Sequence, residues 1–135
     1  MKLEEQVSSL VLSKKLKELG VKQESFFHWV IDILYLTAVQ PIEEYKHNFA
    51  SAFTVAELGE MLPVTLGAAN DNPATKQIDV FSYKYGDEKY QIELSHYPIY
   101  GDAEQPLWNT GICKTEADAR AKMLVYLIEA KIIEM

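Results

Sequence analysis

Apolar residues recur at helical spacing through residues 115–133 (TEADARAKMLVYLIEAKII), the longest such run in the chain. At 100° per residue these apolar positions fall on two stripes of the helix rather than on one. The first stripe contains Ala117, Ala121, Leu124, Val125, Ile128 and Ile132, and the second contains Ala119, Met123, Tyr126, Leu127 and Ala130. Because one covering layer buries only one stripe, the pattern predicts a helix that is packed on two sides.

The start of this helix carries capping residues. Thr115 can accept a hydrogen bond from the backbone N–H of Asp118, and the Asp118 carboxylate can reach back to the N–H of Thr115. Glu116 adds negative charge to the first turn, where the helix dipole favours it. The sequence therefore predicts a helix that begins at residue 115.

Each apolar stripe needs its own partner. We expect the sheet to cover the stripe that contains Leu124 and Ile128. We expect the stripe that contains Met123, Tyr126 and Leu127 to pack on one of two shorter helices or on a second copy of the chain. The partner of this second stripe would distinguish a monomer from a dimer.

The first shorter helix is predicted at residues 9–19 (SLVLSKKLKEL), whose leucines lie on one face. Gly20 follows at the position where a helix end favours a left-handed residue. Val21 comes next and is placed to contact Leu16, as in a Schellman ending.

The second shorter helix is predicted within residues 52–63 (AFTVAELGEMLP). It has a capping box, a hydrophobic staple and a proline stop, formed by Thr54 with Glu57, by Phe53 with Leu58, and by Pro63. Gly59 lowers its helix propensity by about 1 kcal/mol relative to alanine. A glycine at this position indicates close approach by another element or by a ligand.

β-Branched and aromatic residues predict strands in three regions. Residues 25–36 (SFFHWVIDILYL) form one long strand, or two strands joined by a turn or bulge at Asp32. One continuous strand would place Phe27, Trp29, Ile31, Ile33 and Tyr35 on one side. Residues 77–85 and 89–97 predict an antiparallel hairpin, and residues 107–108 or 112–113 predict a short edge strand. Residues 41–52 are connecting structure of undetermined type, and residues 66–75 are a loop.

Together these elements predict an α+β fold: an antiparallel sheet of three to five strands packed against a long C-terminal helix and two shorter helices. A chain of 135 residues, of which 48% are hydrophobic, is expected to form a single domain over residues 1–135. There is no repeat, low-complexity tract or interdomain linker in the sequence.

The net charge of −7 is concentrated in the middle of the chain, where residues 25–75 carry six acids and one lysine. A field of this sign repels phosphates, so nucleic-acid or anionic-membrane binding is not expected. The first helix is locally basic, with Lys14, Lys15, Lys17 and Lys22, which we interpret as a solvated face. The apolar stretch at residues 25–42 contains His28 and Asp32 and favours strand over a membrane span.

The sequence predicts no catalytic residue, cofactor site or metal site. His28, His47 and His96 lack a second ligand at suitable spacing. Cys113 precedes a helix and could be a nucleophile, but Glu116 and Asp118 oppose thiolate formation, so a buried structural thiol is favoured. An enzymatic function is undetermined and would require a pocket in which His28, His96 or Cys113 meets carboxylates. The lone cysteine and the non-apolar start MKLEEQVSS favour a cytoplasmic protein.

Five of the eight tyrosines lie within eighteen residues, on and beside the predicted hairpin: Tyr83, Tyr85, Tyr90, Tyr97 and Tyr100. Cross-strand aromatic pairing accounts for such a cluster. The functional alternative is a protein-binding face, because tyrosine offers apolar area at low entropic cost. The expected partners are another protein or a second copy of the chain in a homodimer.

Residues 52–63 (AFTVAELGEMLP), 115–131 (TEADARAKMLVYLIEAK) and 13–30 (SKKLKELGVKQESFFHWV) resemble a family of small phage- and prophage-associated proteins of gut Bacteroidetes bacteria. The resemblance implies a cytoplasmic protein of a mobile element or its host, and it carries over no activity or cofactor. The leading hypothesis is a small protein-binding or accessory module. The alternative is a nucleic-acid-directed protein, which either binds DNA through the lysine-rich first helix or imitates DNA with its acidic middle.

Overall fold

A computed structural model describes residues 2–36, 49–63, 65–66, 78–86, 89–96 and 108–134. The helices are α1 (Leu3–Gln6), α2 (Leu10–Glu18), α3 (Val55–Met61) and α4 (Glu116–Glu129). The strands are β1 (Phe27–Val30), β2 (Ile33–Leu36), β3 (Phe49–Ser51), β4 (Thr65–Leu66), β5 (Ile78–Gly86), β6 (Lys89–His96) and β7 (Trp108–Asn109). These elements confirm the predicted α+β class, with antiparallel strands, a C-terminal helix and shorter helices.

The described strands form two antiparallel sheets rather than one. Their orders are β2-β1-β3 and β4-β5-β6-β7. The predicted hairpin is present as β5 and β6, and β7 is the predicted short edge strand. Cys113 contributes an isolated bridge to Tyr90 in place of a further strand.

The apolar stretch at residues 25–36 is two strands joined by a turn at Ile31 and Asp32. Val30 pairs directly with Ile33, so the turn contains only these two residues. Ile31 has a φ of 59°, a left-handed conformation that is unusual for a β-branched residue. The alternative of one continuous strand is therefore wrong.

This turn changes which side chains share a face. Directly opposite residues of an antiparallel pair point to the same side, and Trp29 lies opposite Leu34 while Val30 lies opposite Ile33. Ile33 therefore lies on the face opposite to Trp29, although a continuous strand would place both on one side. The physical reason is that a two-residue turn pairs odd-numbered residues of β1 with even-numbered residues of β2. Odd-numbered residues of the two strands therefore point to opposite faces.

Helix α4 lies between the other helices and the second sheet, with both apolar stripes covered within one chain. The first stripe packs on α2 and α3 in a cluster of Leu16, Val21, Phe53, Leu58, Ala117, Ala121 and Leu124. The second packs on β6 in a cluster of Ile92, Cys113, Ala119, Met123 and Leu127. The expected assignment is wrong and is reversed: the helices cover the Leu124 stripe, and the sheet covers the Met123 stripe. Ala117 and Ala121 are fully buried small residues that allow close approach of the helices.

The ends of the shorter helices follow the sequence signals. The N–H of Val21 donates to the Leu16 carbonyl, and Gly20 has a φ of 89°, which completes the predicted ending of α2. In α3, Thr54 and Glu57 form the predicted reciprocal capping box.

Helix α4 begins after Thr115, as predicted, but ends at Glu129 rather than at residue 133. Lys131 takes a left-handed φ of 58°, and the N–H of Ile132 donates to the Leu127 carbonyl. This is the hydrogen-bond pattern that usually places glycine after a helix. A lysine takes that place here, so the sequence carries no stop signal.

Candidate functional site

The outer face of the β1–β2 hairpin carries exposed apolar side chains. Phe26, Ile31, Ile33 and Tyr35 expose 70%, 55%, 54% and 47% of their surfaces, and we call these four residues the hairpin surface. Ile33 and Tyr35 share one side of β2, Phe26 immediately precedes β1, and Ile31 lies in the turn at the other end of the hairpin. Several large apolar side chains exposed on one hairpin suggest an interaction site.

The inner face of the same hairpin is anchored to the core. Trp29 is buried and donates a hydrogen bond of 2.9 Å from Nε1 to the Ser8 carbonyl. It packs with Val7 and Ala52, and Leu34 lies against this cluster. The anchored inner face holds the outer face in a fixed orientation.

Strand β2 is an edge strand in the order β2-β1-β3. Its four residues, ILYL, carry no charge. Within the described part of the chain, no strand pairs with its outer edge. Natural proteins usually protect such edges with charges, proline or bulges, because an apolar edge can pair with another strand.

Of the five tyrosines of the predicted binding face, only Tyr90 has a described side chain. Tyr83 and Tyr85 lie on β5, but their side chains, and all of Tyr97 and Tyr100, lie outside the described residues. Tyr90 is half-buried against the Ile92 cluster, with the Lys84 ammonium 5.6 Å from its ring centroid. The Tyr90 side chain lines a cleft.

This cleft, which we call the sheet cleft, has a volume of about 700 Å³. Its lining comes from α1, from the starts of α3 and α4, and from one or two residues of each sheet. Phe27 comes from the first sheet, Lys84 and Tyr90 come from the second, and Leu3 and Lys114 complete the walls. The cleft therefore joins apolar walls to two lysines.

A second groove, of about 860 Å³, separates α2 from the turn of the β1–β2 hairpin. Its polar lining includes both Lys14 and Lys17 and both Glu18 and Asp32. Lys17 donates to the Phe49 carbonyl at 2.6 Å, and its ammonium lies 4.4 Å from the Phe49 ring centroid. With Lys17 engaged, Lys14 is left beside two carboxylates, so this groove shows no preference for an anionic ligand.

The lysines near α2 are mostly engaged within the chain. Lys15 pairs with Glu129 at 3.3 Å, and Lys22 pairs with Glu24 at 3.1 Å. Within the described residues, Lys14 alone among these lysines has no side-chain partner. A phosphate backbone would have to compete for the other three, so direct DNA binding by this face stays a prediction without structural support.

His28 and Cys113, the candidate titratable groups with described side chains, pack against different residues. His28 is buried on β1 and packs edge to face on Phe49 at 5.4 Å. Burial lowers the pKa of His28, although the nearby Glu57 carboxylate acts to raise it. Cys113 is buried beside Ile92, and burial raises the pKa of its thiol. The neutral thiol is a weak nucleophile, as expected for a structural cysteine.

Metal chemistry finds no support in the described part of the chain. No group of three histidine, cysteine, aspartate or glutamate residues there could hold a metal ion. His47 and the side chain of His96 lie outside the described residues.

The sequence did not indicate the hairpin surface or the two lysines of the sheet cleft. Asp32, a charged residue inside an apolar stretch, was the available signal for a turn, and a turn at this position moves Ile33 and Tyr35 to the outer face. No signal in the sequence brings Lys84 and Lys114 together, since their proximity depends on the bridge between Tyr90 and Cys113.

No helix in the described ranges is long and apolar enough to cross a membrane. No family model, curated protein or solved structure matches the chain.

Proposed function

We propose that this chain is a small protein-binding or accessory module of phage or mobile-element origin that acts in the cytoplasm. The observation that carries the binding role is the hairpin surface, which combines exposed Phe26, Ile31, Ile33 and Tyr35 with the uncharged edge strand β2. The resemblance of residues 52–63 and 115–131 to phage-associated proteins supports the proposed origin.

The partner we propose is a second copy of the chain. Antiparallel pairing of two β2 strands about Leu34 places Ile33 of one protomer opposite Tyr35 of its partner. Both residues lie on the outer face, so apolar side chains meet across the new strand pair. A two-fold contact of this kind is self-complementary and buries the same surface on both protomers.

Sedimentation velocity at several protein concentrations tests this proposal. We expect the full chain to form a dimer and Ile33→Lys to be monomeric, because an edge lysine opposes strand pairing. The matched control is Ile112→Lys, since Ile112 is 62% exposed and lies outside the hairpin surface. A monomeric wild-type chain, or a dimeric Ile33→Lys chain, would contradict the proposal.

The tyrosines of the second sheet provide a further comparison. A Tyr83→Ala/Tyr85→Ala chain should associate as the wild type does if β2 carries the contact. Loss of the dimer in this variant, with Ile33→Lys still dimeric, would move the binding face to the tyrosine-bearing hairpin.

A further inference from the structure

We propose that the sheet cleft binds a small organic anion with an aromatic body, such as an aromatic carboxylate. This inference concerns a different part of the molecule from the hairpin surface and does not depend on self-association. The sheet cleft has a volume of about 700 Å³, which lies within the range of roughly 300–1,000 Å³ that is usual for small-molecule sites.

The body of the ligand is inferred from the apolar walls. Leu3, Phe27, Val55 and Ala56 contribute apolar side chains to the lining of the cleft. The half-buried ring of Tyr90 forms part of the remaining wall. Side chains of this kind bury a flat, apolar group and can stack on it.

The charge of the ligand is inferred from two lysines that flank Tyr90. Lys84 lies directly across the strand pair from Tyr90. On the other side, Tyr90 bridges to Cys113, which immediately precedes Lys114. Both lysines are exposed and line the cleft, and neither forms an ion pair with a described residue.

The carboxylates of the cleft are already engaged. Glu116 pairs with Arg120 at 2.9 Å, so its charge is compensated within α4. Glu5 accepts a hydrogen bond of 3.1 Å from the backbone N–H of Lys2. Among the described residues, the cleft therefore combines two lysines that form no ion pair with two carboxylates that already have partners, in a chain whose net charge is −7. That local contrast favours an anion over a cation.

The experiment is a titration of the full ¹⁵N-labelled chain with 2-naphthoate, followed by amide chemical shifts. The neutral control ligand is 2-naphthamide, which has the same ring system without the charge. We expect 2-naphthoate to shift the amides of Tyr90, Lys114 and Thr115 and to bind about tenfold more tightly than 2-naphthamide.

Variants assign the charge dependence to the cleft. Lys84→Gln and Lys114→Gln should each weaken 2-naphthoate binding several-fold and leave 2-naphthamide binding unchanged. Lys22→Gln is the matched control, because Lys22 is exposed and does not line the cleft. Tyr90→Leu should weaken the binding of both ligands.

Three results would overturn the proposal. The first is the absence of shifts at the cleft amides up to the solubility limit of 2-naphthoate. The second is equal affinity for the acid and the amide. The third is a Lys22→Gln effect as large as that of Lys84→Gln, which would indicate a general charge effect on the whole chain.

Discussion

The backbone N–H of Ser9 donates a hydrogen bond of 2.8 Å to Oδ1 of Asp118, across 109 positions of sequence. Ser9 is the N-cap of α2, while the N–H of Asp118 itself donates to the Thr115 hydroxyl at 3.1 Å in the first turn of α4. The expectation that this carboxylate reaches back to Thr115 is therefore wrong, because it satisfies a donor at the start of another helix. One side chain links the two helix starts.

Removing this link should destabilise the fold. We expect Asp118→Ala to lower the free energy of unfolding by about 1–3 kcal/mol, because it leaves the Ser9 N–H without its acceptor. Asp118→Asn should cost less, since an amide oxygen can still accept. Urea unfolding measures both. The control is Glu129→Ala, whose exposed pair with Lys15 contributes about 0–1 kcal/mol. Equal losses of stability in Glu129→Ala and Asp118→Ala would contradict a special role for the Ser9–Asp118 hydrogen bond.

Gly59 and Arg120 should be energetically coupled. A Cβ at position 59 would collide with the Arg120 guanidinium, which donates to the Val55 carbonyl at 3.4 Å and pairs with Glu116. In an Arg120→Ala background, Gly59→Ala should stabilise α3 by about 1 kcal/mol through helix propensity. In the wild-type background the collision should cancel that gain.

A double-mutant cycle measured by urea unfolding gives this coupling as the difference between the two backgrounds. We expect it to be about 1 kcal/mol. Additive effects of the two substitutions would show that Arg120 moves aside without cost, and the close approach would not explain the glycine.

The buried position of Leu124 in α4 predicts a larger loss in the free energy of unfolding. Leu124 is fully buried between α2 and α3, so Leu124→Ala should cost about 2–5 kcal/mol in urea or thermal unfolding. Ile128 is only partly buried against the same cluster, so its replacement by alanine should cost less. Val11→Ala, at a position that is 77% exposed, should change stability by about 0.5 kcal/mol or less. A small loss at Leu124 would be inconsistent with the packing of α4 on the helices.

His28 should make stability depend on pH. Burial lowers its pKa below the ordinary value of 6.5 in the folded chain, whereas the unfolded chain keeps the ordinary value. Between these two pKa values the unfolded state binds more protons, so the free energy of unfolding rises with pH. This contribution is complete above about pH 6.5 and is lost as the pH falls through 6.5 toward the folded-state pKa.

Unfolding curves measure this effect when they are recorded at pH values above and below the interval between the two pKa values. The wild type is compared with His28→Gln. The substituted chain should show a flatter dependence, while His47→Gln serves as a histidine control. An unchanged slope in His28→Gln would assign the pH dependence to other groups.

Cys113 should react slowly in the folded chain. Its side chain is buried, and burial raises the pKa of the thiol, so little thiolate is present at neutral pH. Labelling with a disulfide reagent should be slow in buffer and rapid in denaturant. Fast labelling of the folded chain would instead restore Cys113 as a candidate nucleophile.

The sequence predicted those features that depend on neighbours in the chain. The capping box of Thr54 with Glu57, the ending of α2 at Gly20 and the β5–β6 hairpin all rest on residues a few positions apart. Features that depend on distant segments were mispredicted or not predicted. Which stripe of α4 meets the sheet depends on how three helices pack together, and the partner of Asp118 comes from the other end of the chain. The left-handed Lys131 gave no signal because glycine is the usual residue there.

The candidate sites also combine features set by neighbouring residues with features set by distant segments, and only the first kind was predicted. The Tyr90 position was recognisable as part of an aromatic cluster, but its place in a cleft required the first sheet and α1. The exposure of Ile33 and Tyr35 depended on a two-residue turn with no glycine or proline to mark it.

The two tryptophans of the chain lie in different sheets. Trp29 is in β1, inside the first sheet, and Trp108 is in β7, stacked on Tyr126 with a centroid separation of 4.0 Å. Each sheet thus contains its own intrinsic fluorophore. With Trp29→Phe and Trp108→Phe chains, fluorescence can follow the melting of either sheet alone, and coincident transitions would show that both unfold as one cooperative unit.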